Sequence, residues 1–199
     1  MTTEFRLLGT MKVSTNGEVY LLERHLARLR VSAEFFSFQC DFEKLRDALR
    51  SAPPERLRLL LSRDGQYDLD SGPQPADNPR HLKLSPIRVD SADPFLYHKT
   101  TRRGLYEAAR QGCDAETDVI LVNERGEVTE TTIANIAVQR NGRWITPSIA
   151  CGLLPGVMRA ELLAKGELVE GVIQSGELTP GETIRCFNAL RGTWPLKLL

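Results

Sequence analysis

The chain carries no excess of either charge: across 199 residues, 26 lysines and arginines balance 26 aspartates and glutamates. With the two signs interspersed there is no basic footprint for nucleic acid and no polybasic anchor for a membrane surface. No apolar run approaches the roughly 20 residues that a bilayer span needs. Met1-Thr2-Thr3-Glu4-Phe5-Arg6 also lacks the basic start and apolar core of a secretory signal, so a cytoplasmic location is expected. Histidine and cysteine are scarce. Cys40, Cys113, Cys151 and Cys186 lie far apart and, with His25, His81 and His98, show no metal-ligand spacing, so no metal is expected and the thiols should be reduced and mostly buried. Internal repeats and low-complexity tracts are absent. Small neutral molecules or modest anions are the partners this composition leaves.

What is present is a chain long enough to bury a sizeable core as one large domain or two small ones. Phe5 to Val13 and Glu18 to Leu22 read as strands around an Asn16-Gly17 turn, a strong local hairpin signal. Leu22, His25, Leu26, Leu29 and Phe36 recur at helical spacing, and a second helix follows Asp41, a plausible N-cap, with Phe42, Leu45 and Leu49 inward. On the first helix His25 reads as a packed core residue and the arginines as a solvated face. Strands are expected at Arg56 to Ser62, Gln66 to Leu69 and His81 to Val89, with a loop over Ser71 to Pro79. A helix from Thr101 to Gln111 then precedes short strands at 118–123, 127–132, 135–139 and 143–146, a pattern that reads as an antiparallel meander. Gly152-Leu153-Leu154-Pro155-Gly156 leads into a helix from Val157 to Lys165. Its first-turn amides could hold an anion, or the segment could be an ordinary Gly/Pro helix entry. Strands at 168–174 and 182–187 and a polar corner at Asn188-Ala189-Leu190-Arg191-Gly192 complete the chain. The domain boundary is expected near Asp90, giving a small α+β N-terminal domain (1–90) and a C-terminal domain of antiparallel strands (91–199).

The stretch Phe95-Leu96-Tyr97-His98-Lys99-Thr100-Thr101-Arg102-Arg103 is the expected seat of chemistry. A lysine between an extended segment and a helix, desolvated and near other cations, can lose enough basicity to become a nucleophilic amine. Alone this signal is weak, and the downstream motifs give it weight.

His98-Lys99, Gly126-x-Val128-x-Glu130 followed by Asn135, Thr146-Pro147, Gly152-Leu153-Leu154-Pro155-Gly156-x-x-Arg159 and Asn188-Ala189-Leu190-Arg191-Gly192 occur in one order. The set resembles the class IV aminotransferases, the pyridoxal-phosphate (PLP) enzymes of fold type IV. Within them it is most similar to the branch of 4-amino-4-deoxychorismate lyases. The resemblance runs from about Phe5 to the C-terminus. It implies a two-domain α/β (α+β) protein, D-amino-acid aminotransferase-like with a shortened N-terminus, with PLP in the cleft between the domains of a homodimer. It assigns Lys99 as the Schiff-base and proton-transfer residue, and Glu130 as the carboxylate facing the pyridine nitrogen. Read from sequence alone, Glu130 fits a cross-strand partner of a basic residue better. By the same resemblance Arg28 and the backbone amides of Val157 and Met158 hold the cofactor phosphate, and Ala189 stands where threonine is common, offering only its backbone amide. Arg103 is placed near the phenolic oxygen, and Arg191 near a substrate carboxylate or in a surface salt bridge.

Most relatives begin with a further strand and a Tyr-Gly-Asp-Gly-type loop that this sequence starts too late to contain, and Gly9 stands where they usually carry glutamate. The implied reaction is release of pyruvate from aminodeoxychorismate to give 4-aminobenzoate. The alternatives are a transaminase of D- or branched-chain amino acids, and an inactive PLP-binding homologue.

Overall fold

The computed structural model describes residues 4–75 and 77–199. These fall into two compact units, 4–75 with 98–102, and 77–97 with 103–199. The division therefore lies beside Ala76, outside the described residues, and the five residues around Lys99 group with the first unit rather than the second. The expected boundary near Asp90 differs because the strand ending at Val89 finds its partners in the second unit.

In the first unit, β1 (Leu7–Val13), β2 (Glu55–Leu61) and β3 (Tyr67–Gly72) form an antiparallel sheet in that order. Alternation places Leu7, Met11 and Val13 of β1, with Leu57, Leu59 and Leu61 of β2, on the face covered by α1 (Leu22–Phe36) and α2 (Phe42–Arg50). Helix α1 contributes Leu26, Leu29 and Ala33 to this core, and α2 contributes Leu45 and Leu49. Asp41 caps α2 by accepting from the Lys44 amide at 3.0 Å. The free edge of β1 is occupied by the 98–102 segment: the Leu8 amide donates to the Lys99 carbonyl at 2.8 Å and the Thr101 amide to the Arg6 carbonyl at 2.9 Å. The expected second hairpin strand is a correction. Turn bonds do join Ser14 to Gly17 and Glu18, yet only Val13 and Val19 form a bridge, and β1 pairs along its length with β2. Leucines at alternate β2 positions supply the continuous apolar row that Glu18 to Tyr20 cannot.

The second unit is built on one eight-stranded sheet of β4 (His81–Val89), β5 (Thr117–Asn123), β6 (Val128–Thr131), β7 (Asn135–Arg140), β8 (Arg143–Pro147), β9 (Val169–Gly171), β10 (Thr183–Asn188) and β11 (Gly192–Leu198). Their spatial order is β6-β5-β4-β11-β10-β7-β8-β9. The sheet is mixed, not an antiparallel meander, because β4 pairs in parallel with both β5 and β11, and β8 with β9. Every residue of β5 is buried. Its Val119 and Leu121 pack with Val89, Leu96 and Ala109 on one side, while Ile120 joins Leu82, Val128, Ile136 and Ile184 on the other, as a strand covered on both faces requires. Helix α3 (Gly104–Ala109) is shorter than the 101–111 expected, since Thr100 to Arg102 are drawn into the first unit. Helix α4 (Val157–Ala164) lies where expected, and the 168–174 strand contracts to β9. No helix among the described residues is long and apolar enough to cross a membrane.

Candidate functional site

Lys99 enters the first unit on a stretch whose backbone is fixed at Lys99 and Thr101 by the hydrogen bonds to Leu8 and Arg6. Lys99 lines a small, partly enclosed hollow together with Arg28 and His25 from α1 and Gly9 from β1. His25, Arg28 and Ser32 share a wall because they recur one and two turns apart on the helix. The Ser32 hydroxyl donates back to the Arg28 carbonyl at 3.2 Å and shares a 2.9 Å hydrogen bond with His98 Nδ1. That ring stacks on Phe35, with centroids 4.6 Å apart, and meets Phe36 edge-on. Burial holds His98 below the usual histidine pKa. Gly9, where glutamate is usual in the resemblance, faces β2 so closely that a Cβ would lie 3.2 Å from Leu59 Cβ.

A buried carboxylate organises the second unit. Glu130, 4% exposed on β6, accepts from the Tyr106 hydroxyl at 3.0 Å, the Leu154 amide at 3.2 Å and Asn135 Nδ2 at 3.2 Å. Burial, then the neighbouring Glu130 charge, pushes the Tyr106 phenol up, so it remains a donor across the working pH range. Arg103 lies over the Tyr106 ring, 4.8 Å from its centroid, and donates to the Thr132 carbonyl at 2.7 Å. Asn135 ties Glu130 to the entry of α4: its Nδ2 also donates to the Leu154 carbonyl at 2.9 Å, and its Oδ1 abuts Gly156. Helix α4 begins at Gly156 without a side-chain cap, leaving the amides of Val157 and Met158 in its uncapped first turn. Glu130 thus accepts hydrogen bonds that converge from α3, β7 and the segment before α4.

Ala189 is buried in the β10–β11 turn, where Asn188 Oδ1 accepts from the Leu190 and Arg191 amides. Arg191 donates to Asn78 Oδ1 at 2.7 Å and to the Asp77 carbonyl. Burial lowers its pKa. Of the residues named from sequence, Lys99 and Arg28 therefore come together in the first unit. Glu130, Val157 and Met158 are linked through Asn135 in the second, with Arg103 stacked on the same Tyr106. Tyr106 and His25 were not assigned roles from sequence. A tyrosine on α3 has no spacing that ties it to Glu130, whereas the position of His25, one turn before Arg28, was a usable signal.

The family description "Amino-transferase class IV" matches residues 7–199. The chain belongs to the class IV aminotransferase family. A Schizosaccharomyces pombe protein named "Putative aminodeoxychorismate lyase" is 36% identical over 191 residues, covering 88% of this chain and 83% of its own length. A Mesorhizobium loti crystal structure described as a "Putative amino-acid aminotransferase" superposes with a TM-score of 0.87 at 39% identity, covering 98% of this chain and 100% of that one. The 4-amino-4-deoxychorismate lyase of Pseudomonas aeruginosa shares the fold, with a TM-score of 0.85 at 24% identity over 98% of this chain and 83% of that one. The mixed α+β fold is that of the class IV aminotransferases, a family of PLP-dependent enzymes.

The donor set fits that cofactor. PLP presents an aldehyde, a dianionic phosphate and a ring nitrogen. Groups of the kinds such a molecule takes are present in each unit: the amine of Lys99 and the guanidinium of Arg28 in the first, and in the second the uncapped Val157 and Met158 amides and the carboxylate of Glu130, fixed by three donors.

Proposed function

We propose that this class IV enzyme is a 4-amino-4-deoxychorismate lyase, converting aminodeoxychorismate into 4-aminobenzoate and pyruvate with PLP bound through Lys99. The observation that carries this reading is that Lys99 and Arg28 line one hollow, an amine for the aldehyde beside a cation for the phosphate. The similarity to the fission-yeast protein supports the lyase branch. When bound, PLP supplies an electron sink for the carbon that bears the substrate amine.

The chain's own residues do the rest. A phosphate would find a cationic donor in Arg28 of the first unit, and the uncapped Val157 and Met158 amides of the second are donors of the same kind. Glu130 would face the ring nitrogen of the bound cofactor, held in place by the hydrogen bonds it accepts from Tyr106, Leu154 and Asn135. Lys99 takes the proton from the amine-bearing carbon. The ether C–O bond then breaks, its electrons leave with the three-carbon fragment, and that fragment gains a proton at its methylene carbon and departs as pyruvate. The ring becomes aromatic, so the step runs downhill without an oxidant. A homodimer of this chain is part of the same reading.

A transaminase is the second reading, favoured by the similarity to the Mesorhizobium loti protein. Adding PLP to the wild-type chain and to Lys99→Ala, then aminodeoxychorismate or a D- or branched-chain amino acid, separates the cases. A visible band in wild type that Lys99→Ala lacks, followed by fluorescent 4-aminobenzoate, is expected. Conversion of the cofactor to its amine form by an amino acid alone selects the transaminase. A band with neither turnover leaves a silent PLP-binding protein. Identical spectra for wild type and Lys99→Ala remove Lys99 from the chemistry.

A further inference from the structure

The hollow beside Lys99 holds a group that the proposed reaction leaves unused. His25 is only 6% exposed, and neither Nδ1 nor Nε2 has a hydrogen-bond partner among the described residues. Buried polar groups are rarely left so, and a ring of this kind calls for something in the space it faces. That space, shared with Arg28 and Lys99, admits about one water molecule.

The surroundings fix the state of the ring. Burial lowers the His25 pKa well below its usual value, and the charges of Arg28 on its own helix and Lys99 on the 98–102 segment add to the effect. The other elements packed around the hollow bring no charge. Strand β1 presents Leu8, Gly9 and Met11, β2 presents Leu59, and α2 presents Leu49. The remaining polar group, Ser32, is engaged with His98, whose ring is also held neutral by burial. His25 is therefore a neutral imidazole with one acceptor nitrogen and one N–H.

We infer that His25 is a positioning residue for Lys99, its acceptor nitrogen reaching the lysine ammonium through one water held in the hollow. The water accepts from the ammonium and donates to the ring, so the arrangement favours the charged amine and aims it. No bond is made or broken. The inference rests on the reading of Lys99 as the reactive amine, but its consequence is a property of the amine itself and does not require bound PLP.

The test is competitive acetylation of the full chain, freed of any bound aldehyde by hydroxylamine dialysis. Lys99 labelling is quantified by peptide mass spectrometry from pH 6 to 11. In His25→Phe the midpoint for Lys99 should fall by about one pH unit, the scale of one lost hydrogen bond to a charged group. His25→Gln, whose amide oxygen accepts, should recover at least half of that shift. If the phenyl ring prevents folding, His25→Leu replaces it in the same comparison. An unchanged or raised midpoint, or His25→Gln behaving like the apolar variant, overturns the inference. A wild-type chain that gives no visible band with PLP would instead defeat the cofactor reading, and the labelling midpoints would still decide the role of His25.

Discussion

Gly156→Ala should be costly for a reason that lies in one neighbour. The residue has φ −65° and ψ 142°, a conformation any L-residue adopts, so the backbone itself raises no objection and would gain slightly from a less flexible unfolded chain. The added Cβ, however, would stand 1.9 Å from Asn135 Oδ1 and 3.1 Å from its Cγ. Asn135 is buried, so relief requires its amide to swing away. That movement breaks its 3.2 Å bond to the Glu130 carboxylate and its 2.9 Å bond to the Leu154 carbonyl. A bond to a charged group contributes about 1.5–3 kcal/mol and a neutral one about 0.5–1.5, so the loss should total about 2–4.5 kcal/mol. Urea unfolding followed by circular dichroism measures it. In an Asn135→Ala background the obstacle and both bonds are already gone, so adding Gly156→Ala should cost no more than about 0.5 kcal/mol, exposing most of the single-variant loss as coupling. A loss below about 1 kcal/mol for Gly156→Ala alone, or simple additivity of the two changes, would refute the argument.

Stability should fall as pH drops below about 6.5, the ordinary histidine value, because the unfolded chain then takes up protons at positions 25 and 98 that the folded rings resist. Both folded pKa values are lowered, so the stability is intact above 6.5 and declines toward the folded values, at up to about 1.4 kcal/mol per pH unit for each ring. Urea midpoints between pH 7.5 and 5, above the range where most carboxylates titrate, should show the decline, and a flat profile would contradict it. Asp41→Ala removes the cap on the Lys44 amide and should destabilise by about 1 kcal/mol in chemical denaturation without altering the visible spectrum of PLP-loaded protein.

The elements legible in the sequence were those whose signal is local. Helix α1 follows from its apolar spacing, α2 from Asp41 and the Leu45–Leu49 pair, and β4 from a run of extended residues; α1 and β4 appear with the expected bounds, and α2 begins directly after Asp41. Asn16-Gly17 also gives a local signal, and it did produce a turn. The sheet partner of β1, though, was settled some forty residues later by the leucines of β2, which no short window reveals. Likewise the alternation in β4 and β5 does not state that they run in parallel, because that depends on where the intervening chain travels. In the candidate site, Lys99, Arg28 and Glu130 were legible through ordered motifs, and the first two do share a hollow. Tyr106 and Asn135 owe their importance to the three-dimensional convergence on Glu130, and the unsatisfied ring of His25 becomes visible only when its neighbours are in place.

The excursion of the chain into the second unit between its visits to the first has a consequence for biogenesis. During synthesis, residues up to position 75 emerge with one border of their sheet unclaimed, and the piece that claims it follows only after β4 has been made. A fragment ending near Pro75 should therefore be an incomplete folding unit that lacks Lys99 as well as its last backbone partner. Nicking the intact protein in the exposed loop after β3 should leave an N-terminal piece without the 98–102 segment of its own unit, while the C-terminal piece keeps every residue of the second unit.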